Sequence, residues 1–239
     1  LGSLNADHLI LNLPSDLKTA GMAARLAGIQ DIVYRRGSAI PIKNTLLNRF
    51  LFRRIVHRVL ANSQETKQTI LQKNQKLFPS DKISVIYNGI DLEKFDEVEV
   101  DNQQREDNRL ILGNLGRLEP QKNQLFLINV MQILKQNGYN YFLRIGGDGR
   151  LHETLEQTIK DRNLENNIEL VGFVDNAKNF MHNIDIFLLP SLWEGFGYVL
   201  VEAQACQKPI VAFNASSNPE VVQHKKNGLL VKANHEQGF

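Results

Sequence analysis

The chain has 239 residues, with 28 Lys and Arg against 26 Asp and Glu and a net charge of +2. That balance gives no concentrated basic footprint, so nucleic acid is not expected as a partner. A single cysteine, Cys206, leaves no internal disulfide to form and points to a reducing, cytoplasmic setting. No apolar run approaches the roughly 18 residues that cross a bilayer, and residues 1–7 have neither the basic nor the apolar part of a leader, so neither export nor a membrane span is expected. The first residue is not methionine and a strand follows almost at once, which reads as a piece of a longer protein.

Short apolar runs bounded by turn residues alternate with stretches of helical period, the pattern of strand-helix units around a parallel sheet, so the fold class is α/β. Residues 8–13 read as a strand, 17–27 as a helix closed by Gly28, and 31–34 as a second strand. Residues 44–61 have helical period throughout, 65–72 form a helix opened by Ser63, and 83–87 form a strand. From 93 to 108 the chain is acidic and polar without apolar period, which reads as a linker between a first domain at 1–92 and a second at 109–239. The second domain is expected to hold strands at 110–115, 141–145, 168–170, 184–189, 210–213 and 229–231. Helices are expected between them at 124–136, 149–162, 177–181, 197–206 and 217–223, which makes a doubly wound sheet.

In such a sheet ligands lie beyond the carboxyl ends of the strands, so the residues just after each strand matter most. Gly116-Arg117-Leu118 and Lys122 follow one strand and place a guanidinium and an ammonium at one crevice. The pair suits a diphosphate, and it also suits a solvated loop with two surface cations. Gly146-Gly147-Asp148-Gly149 brings backbone close to a phosphate or sugar, or else makes a tight strand-to-helix turn. It does not complete the dinucleotide glycine pattern, because His152 stands at the third glycine position, and a nicotinamide dehydrogenase is disfavoured. The segment Pro190-Ser191-Leu192-Trp193-Glu194-Gly195-Phe196-Gly197-Tyr198 leaves an apolar strand and opens a helix that carries Glu202. Its glycines admit a close ligand, and the amides from Phe196 to Tyr198 sit where a helix start favours an anion. Glu194 and Glu202 are acceptor-only carboxylates suited to pairs of sugar hydroxyls, and either is equally at home as a dipole partner or a solvated helix residue.

Taken together these segments resemble the retaining glycosyltransferases of the GT-B fold, family 4, across nearly the whole chain. Residues 85–91 with Phe95 look like the family's interdomain signature, and Leu115-Gly116-Arg117-Leu118 with Lys122 like its diphosphate-binding stretch. Gly172-Phe173-Val174 looks like the loop near the nucleotide base, Glu194 and Glu202 like the spaced glutamate pair, and Asn218-Pro219-Glu220 with Asn227-Gly228 like the closing run. The resemblance implies two Rossmann-like domains, the first one partial, and it assigns roles. Arg117 and Lys122 hold the donor diphosphate beside Gly116 and Gly147, and Phe173 and Val174 flank the base. Glu194, Gly195, Phe196, Gly197 and Tyr198 meet the transferred sugar, and Glu202 holds the ribose.

No cofactor or metal is implied; the donor is a UDP- or GDP-sugar and the acceptor a saccharide or a lipid-linked saccharide, as in bacterial polysaccharide, lipopolysaccharide or glycolipid synthesis. Retention at the anomeric carbon is implied, by same-face attack assisted by the leaving phosphate. At the family's usual histidine position the chain has Pro14-Ser15-Asp16, so no catalytic histidine carries over, and the piece is expected to lack both the start of the first domain and the C-terminal helices. A sugar-nucleotide-binding module without turnover, or an epimerase of the same fold, are the alternatives. Arg49, Arg53, Arg54 and Arg58 line one side of the helix expected over 44–61, with Leu47, Phe50, Leu51, Ile55 and Val59 on the other. Such a helix suits either an anionic membrane surface or packing on its own domain with a solvated basic face.

Overall fold

The computed structural model describes residues 6–97, 99 and 109–239. The chain forms two compact units: one of residues 1–88 with Glu194–Phe196, and one of Gly89–Trp193 with Gly197–Phe239.

The first unit is a four-stranded parallel sheet in the order β1-β2-β3-β4, formed by His8–Leu11, Asp31–Arg36, Arg58–Ala61 and Ile83–Val85. Helix α1 (Pro14–Lys18) starts on a proline, which stops β1 at Leu11 rather than residue 13, and Thr19 separates it from α2 (Ala20–Leu26). Gly28 closes α2 at φ +89, as the sequence predicts. The long helix expected over 44–61 is much shorter. Helix α3 (Leu46–Phe50) passes into a π-helical turn, Leu51–Ile55, closed by Val56 N–H donating to Leu51 O at 3.0 Å, and the chain is extended by Val56. Residues 58–61 are strand β3 because they pair with β2 on one side and β4 on the other, burying Val59 and Ala61 in alternation. Arg58 therefore leaves the expected helix face and pairs with Asp31, which also holds the His8 ring at 2.6 Å. The Arg58 guanidinium, and then His8, keep the Asp31 carboxyl below its ordinary range. Ser63 caps α4 (Gln64–Leu71) through the Thr66 N–H at 3.0 Å, as its sequence signals.

The segment expected to be a linker begins with a helix, α5 (Leu92–Glu97). Tertiary contact overrides its polar composition: the Lys178 ammonium lies 5.8 Å from the Phe95 ring centroid and donates to Asp96 O at 2.7 Å. The remainder of the expected linker, apart from Glu99, lies outside the described residues.

The second unit carries the expected six parallel strands. These are β5 (Ile111–Leu115), β6 (Phe142–Gly146), β7 (Ile168–Gly172), β8 (Ile186–Leu189), β9 (Ile210–Phe213) and β10 (Leu229–Val231). Their spatial order, β7-β6-β5-β8-β9-β10, is that of a doubly wound sheet. Both faces are covered by α6 (Gln124–Gln136), α7 (His152–Asp161), α8 (Ala177–His182), α9 (Tyr198–Ala205) and α10 (Asn218–Val221). Successive strand residues therefore enter two different cores. On β8, Leu188 joins Leu112, Leu143 and Phe213, whereas Phe187 and Leu189 join Ile111, Ile210 and Leu200. Each of these large side chains, fully buried, contributes roughly 1.5–3 kcal/mol. A Cβ on Gly113 would stand 2.6 Å from Ile184 Cγ2, so this strand position must stay bare.

Candidate functional site

The order of strands reverses between β5 and β8, which makes the carboxyl ends of these two strands the place to look. Three neighbouring strand ends are laced together there by their main chains. Gly116 N–H donates to Gly146 O at 3.0 Å and Leu118 N–H to Asp148 O at 2.9 Å, which ties the loop after β5 to the loop after β6. Gly147 N–H donates to Gly172 O at 2.7 Å, which ties that loop to the end of β7. Leu118 is fully buried, and its carbonyl accepts from Leu151 N–H at 3.1 Å beside α7. Gly147 has φ +130, and a Cβ there would collide with the Gly116 carbonyl oxygen. The glycine is required by a backbone-to-backbone approach as well as by its dihedral angle.

Arg117 projects outward from this lacing and is exposed. Lys122 ends a short 3₁₀ turn, Pro120–Lys122, and folds back: its Cε lies 3.1 Å and its Nζ 3.5 Å from where a Cβ on Gly116 would stand. The ammonium is thus held over the backbone at which β5 ends. Asn123, in the left-handed region at φ 56 and ψ 39, reverses the chain into α6. The turn is also fastened to the segment leaving β8. Gln121 O accepts from Leu192 N–H at 2.9 Å, its side-chain amide donates to Trp193 O at 2.7 Å, and the Asn123 amide donates to Pro190 O at 3.3 Å.

Helix α9 begins at Tyr198, behind Gly197 at φ +68 and ψ 51, so of the three amides expected at a helix start only that of Tyr198 is helical. The Tyr198 hydroxyl donates to Gly89 O at 2.9 Å. Glu202 follows one turn later and is half-buried, and burial raises its carboxyl above the ordinary carboxylate range. Asn218 is fully buried at the start of α10 and donates to Phe213 O at 3.0 Å. Its Oδ1 lies 3.4 Å from the Cβ position of Gly197 and has no hydrogen-bond partner among the described residues. After Gly172, at φ +79, Phe173 is 80% exposed, and Val174 Cγ2 lies 2.8 Å from the Cβ position of Gly146. Beside them is a cavity of about 290 Å³ lined by Arg144, Phe173, Val174, Asn176 and Asn179.

Glu194, Gly195 and Phe196 pack with the first unit. Gly195 presses on the Gly37 carbonyl and leaves no room for a Cβ, and its own carbonyl accepts from Thr66 Oγ1 at 3.3 Å. The Phe196 ring lies 6.0 Å from that of Tyr87, and Glu194 is 7% exposed. Within the second unit the structure therefore brings Gly116, Lys122 and Gly147 into direct proximity, sets Val174 against Gly146, and puts Tyr198 and Glu202 on the helix after β8. Gln121 and Asn123, which fix the Lys122 turn, were not singled out by the sequence reading. The only signal available for them was their position beside Lys122. Among the described residues no group of three His, Cys, Asp or Glu could hold a metal ion.

Residues 96–239 match the family model described as glycosyl transferases group 1, and residues 3–94 match that described as glycosyltransferase family 4. A UDP-Gal:α-D-GlcNAc-diphosphoundecaprenol α-1,3-galactosyltransferase of Escherichia coli is 29% identical over 235 residues, 91% of this chain and 60% of that protein. An N-acetylgalactosamine-N,N'-diacetylbacillosaminyl-diphospho-undecaprenol 4-α-N-acetylgalactosaminyltransferase of Campylobacter jejuni is 32% identical over 200 residues, 82% of this chain and 53% of that protein. The chain thus spans between half and two thirds of the length of these curated relatives. The crystal structure of Anabaena HepE in complex with UDP and glucose superposes with a TM-score of 0.81 at 25% identity, over 97% of this chain and 66% of that one.

Proposed function

The chain belongs to the glycosyl transferases group 1 family, and from that premise we propose that it forms the greater part of a retaining transferase moving a sugar from a UDP- or GDP-sugar to an acceptor hydroxyl. In the reaction the bond between the anomeric carbon and the diphosphate oxygen breaks and a bond from the same face of that carbon to the acceptor oxygen forms. The acceptor proton passes to the departing diphosphate. The observation that carries the reading is the Lys122 ammonium held over the glycine backbone where β5 ends, at the switch point of the sheet. A compact cation fixed there meets the negative charge that grows on the leaving diphosphate, and exposed Arg117 adds a planar fork of donors. With those charges in place the transfer runs without a divalent ion.

Gly147 and Gly116 let the diphosphate approach the backbone, Phe173 and Val174 border the base, and Glu202 accepts from the ribose hydroxyls. Glu194, Gly195, Phe196, Gly197 and Tyr198 meet the sugar. The two relatives named for undecaprenol-diphosphate substrates support a lipid-linked saccharide as acceptor, and with it a place of action at a membrane surface. No helix among the described residues is long and apolar enough to cross one.

Calorimetric titration of the chain with UDP, GDP and ADP in the presence of a chelator tests the donor half of the reading. Saturable binding of UDP or GDP supports it and names the base. Folded protein that binds neither, or that binds only when a divalent ion is restored, refutes it.

A further inference from the structure

Polar side chains are packed away from water where β2 and β3 end. Asn62, Ser63, Thr66 and Thr69 are each at most 5% exposed. A fold tolerates such groups when they are hydrogen-bonded, and here they bond to one another. Ser63 Oγ donates to Thr66 Oγ1 at 2.9 Å, Thr66 Oγ1 to Asn62 Oδ1 at 2.9 Å, and Thr69 Oγ1 to Thr66 O at 2.8 Å. Asn62 Nδ2 donates to Gly37 O at 3.4 Å. The buried Arg36 guanidinium steadies the chain on both sides of that glycine, donating to the Tyr34 hydroxyl at 3.3 Å and to Ile40 O.

Capping α4 uses only the Ser63 hydroxyl, which accepts from Thr66 N–H. The rest of the group converges on one glycine. A Cβ on Gly195 would collide with Gly37 O and stand 3.3 Å from Asn62 Nδ2, and Gly195 O accepts from Thr66 Oγ1 at 3.3 Å. The Thr66 hydroxyl has one proton for two acceptors, Asn62 Oδ1 and Gly195 O, so the amide and the glycine are tied to the same atom.

We propose that Asn62 and Thr66 are positioning residues for sugar transfer: they hold Gly195, and with it Glu194 and Phe196, where those three residues meet the transferred sugar. A segment fixed before the ligand arrives spends no binding energy on being ordered. The inference rests on the reading of Glu194, Gly195 and Phe196 as sugar contacts. Neither Asn62 nor Thr66 has a role toward the nucleotide, and that contrast supplies the test.

Calorimetry of the whole chain compares UDP with UDP-glucose, UDP-galactose and UDP-N-acetylglucosamine, or GDP with GDP-mannose if guanine is preferred. Thr66→Val is expected to weaken binding of the tightest sugar nucleotide about fivefold, the equivalent of one net hydrogen bond, and to leave the bare nucleotide unchanged. Thr66→Ser, which keeps the hydroxyl, is expected to restore the native ratio. Asn62→Ser, which leaves the α4 cap intact, takes the place of Thr66→Val if that variant unfolds. A purely structural role lowers the melting temperature and moves both affinities alike or neither, and either result in a folded variant overturns the proposal. Hydrogen exchange over Glu194–Phe196 in the native chain without ligand needs no variant: slow exchange is expected of a held segment, and exchange as fast as in an unfolded peptide overturns the proposal. A native chain that binds no nucleotide fails the donor reading, and the exchange result still decides whether the segment is held.

Discussion

Replacing Glu202 with Gln separates what this side chain does for the fold from what it does for the ligand. Burial raises its carboxyl above the ordinary carboxylate range, so the fold holds the ionised form at a cost. A raised carboxyl pKa means that this cost is present above the folded-state pKa and is relieved as the pH falls through it. The amide has no charge to bury, so Glu202→Gln should melt at or above the native temperature at pH 7, with the advantage shrinking as the pH falls toward the ordinary carboxylate range. Nucleotide affinity should move the other way. A carboxylate accepts from both ribose hydroxyls, and an amide oxygen keeps one such bond while its NH₂ faces the other hydroxyl. Losing one charge-assisted bond costs about 1.5–3 kcal/mol, or roughly 10- to 150-fold in Kd. Calorimetry with the preferred nucleotide and thermal melts across pH 5–8 make the comparison. Native affinity for the variant would sink the assignment of Glu202 to the ribose, and a fall in its stability at pH 7 would sink the cost assigned to burying its charge. The native protein should also lose affinity on acidification at a pH above the ordinary glutamate range, because that is where the carboxylate disappears.

Two other substitutions probe the strand-end lacing and the cation above it. Lys122→Met removes the ammonium while keeping most of the stem that lies over Gly116; turnover by the whole enzyme should fall about 100- to 1,000-fold, the usual loss for one preorganised group facing developing charge. Activity within a few-fold of native would place the diphosphate elsewhere. Gly147→Ala forces a Cβ onto the Gly116 carbonyl at φ +130, so urea unfolding should show a loss of at least about 1–3 kcal/mol. An unchanged midpoint would mean that the loop has room to shift.

Local periodicity was enough wherever one helix or strand answered to its own spacing. Helix α6 fell at the expected 124–136 because its apolar residues recur on one face, with Phe126, Leu127, Val130 and Met131 all buried. The strands 210–213 and 229–231 were equally plain. What misled the reading over 44–61 was a non-local competition. Val59 fits the helical stripe running on from Phe50 and Ile55, and nothing in the segment itself says that β2 and β4 wait on either side of it. Helix α5 was missed for the same kind of reason, since Phe95 is held by Lys178 from far along the chain.

In the candidate site, position after a strand singled out Gly116, Arg117, Lys122 and Gly147, and the sheet order gives those positions a common edge. The sequence reading offered two causes for Gly147, a ligand approach or a tight turn. The structure adds a third, because the Cβ position is filled by the Gly116 carbonyl in the loop after β5. Which unit a loop packs against is invisible to spacing. The segment Glu194–Phe196 reads as part of the second domain by position yet groups with the first.

The π turn at Leu51–Ile55 works as a clocking device. Closing five residues back instead of four admits one residue more than an α-helical turn would, and that residue shifts the helical phase within the turn by about 100° before the chain becomes extended at Val56. Leu51, Phe52 and Ile55 fall inward on this setting and Arg53 and Arg54 outward. Shortening the turn by one residue would leave nearly the same composition and a regular helix while rotating guanidinium groups toward a core that cannot solvate them. The core beneath the turn thus fixes its residue count, whatever side chains it carries outward.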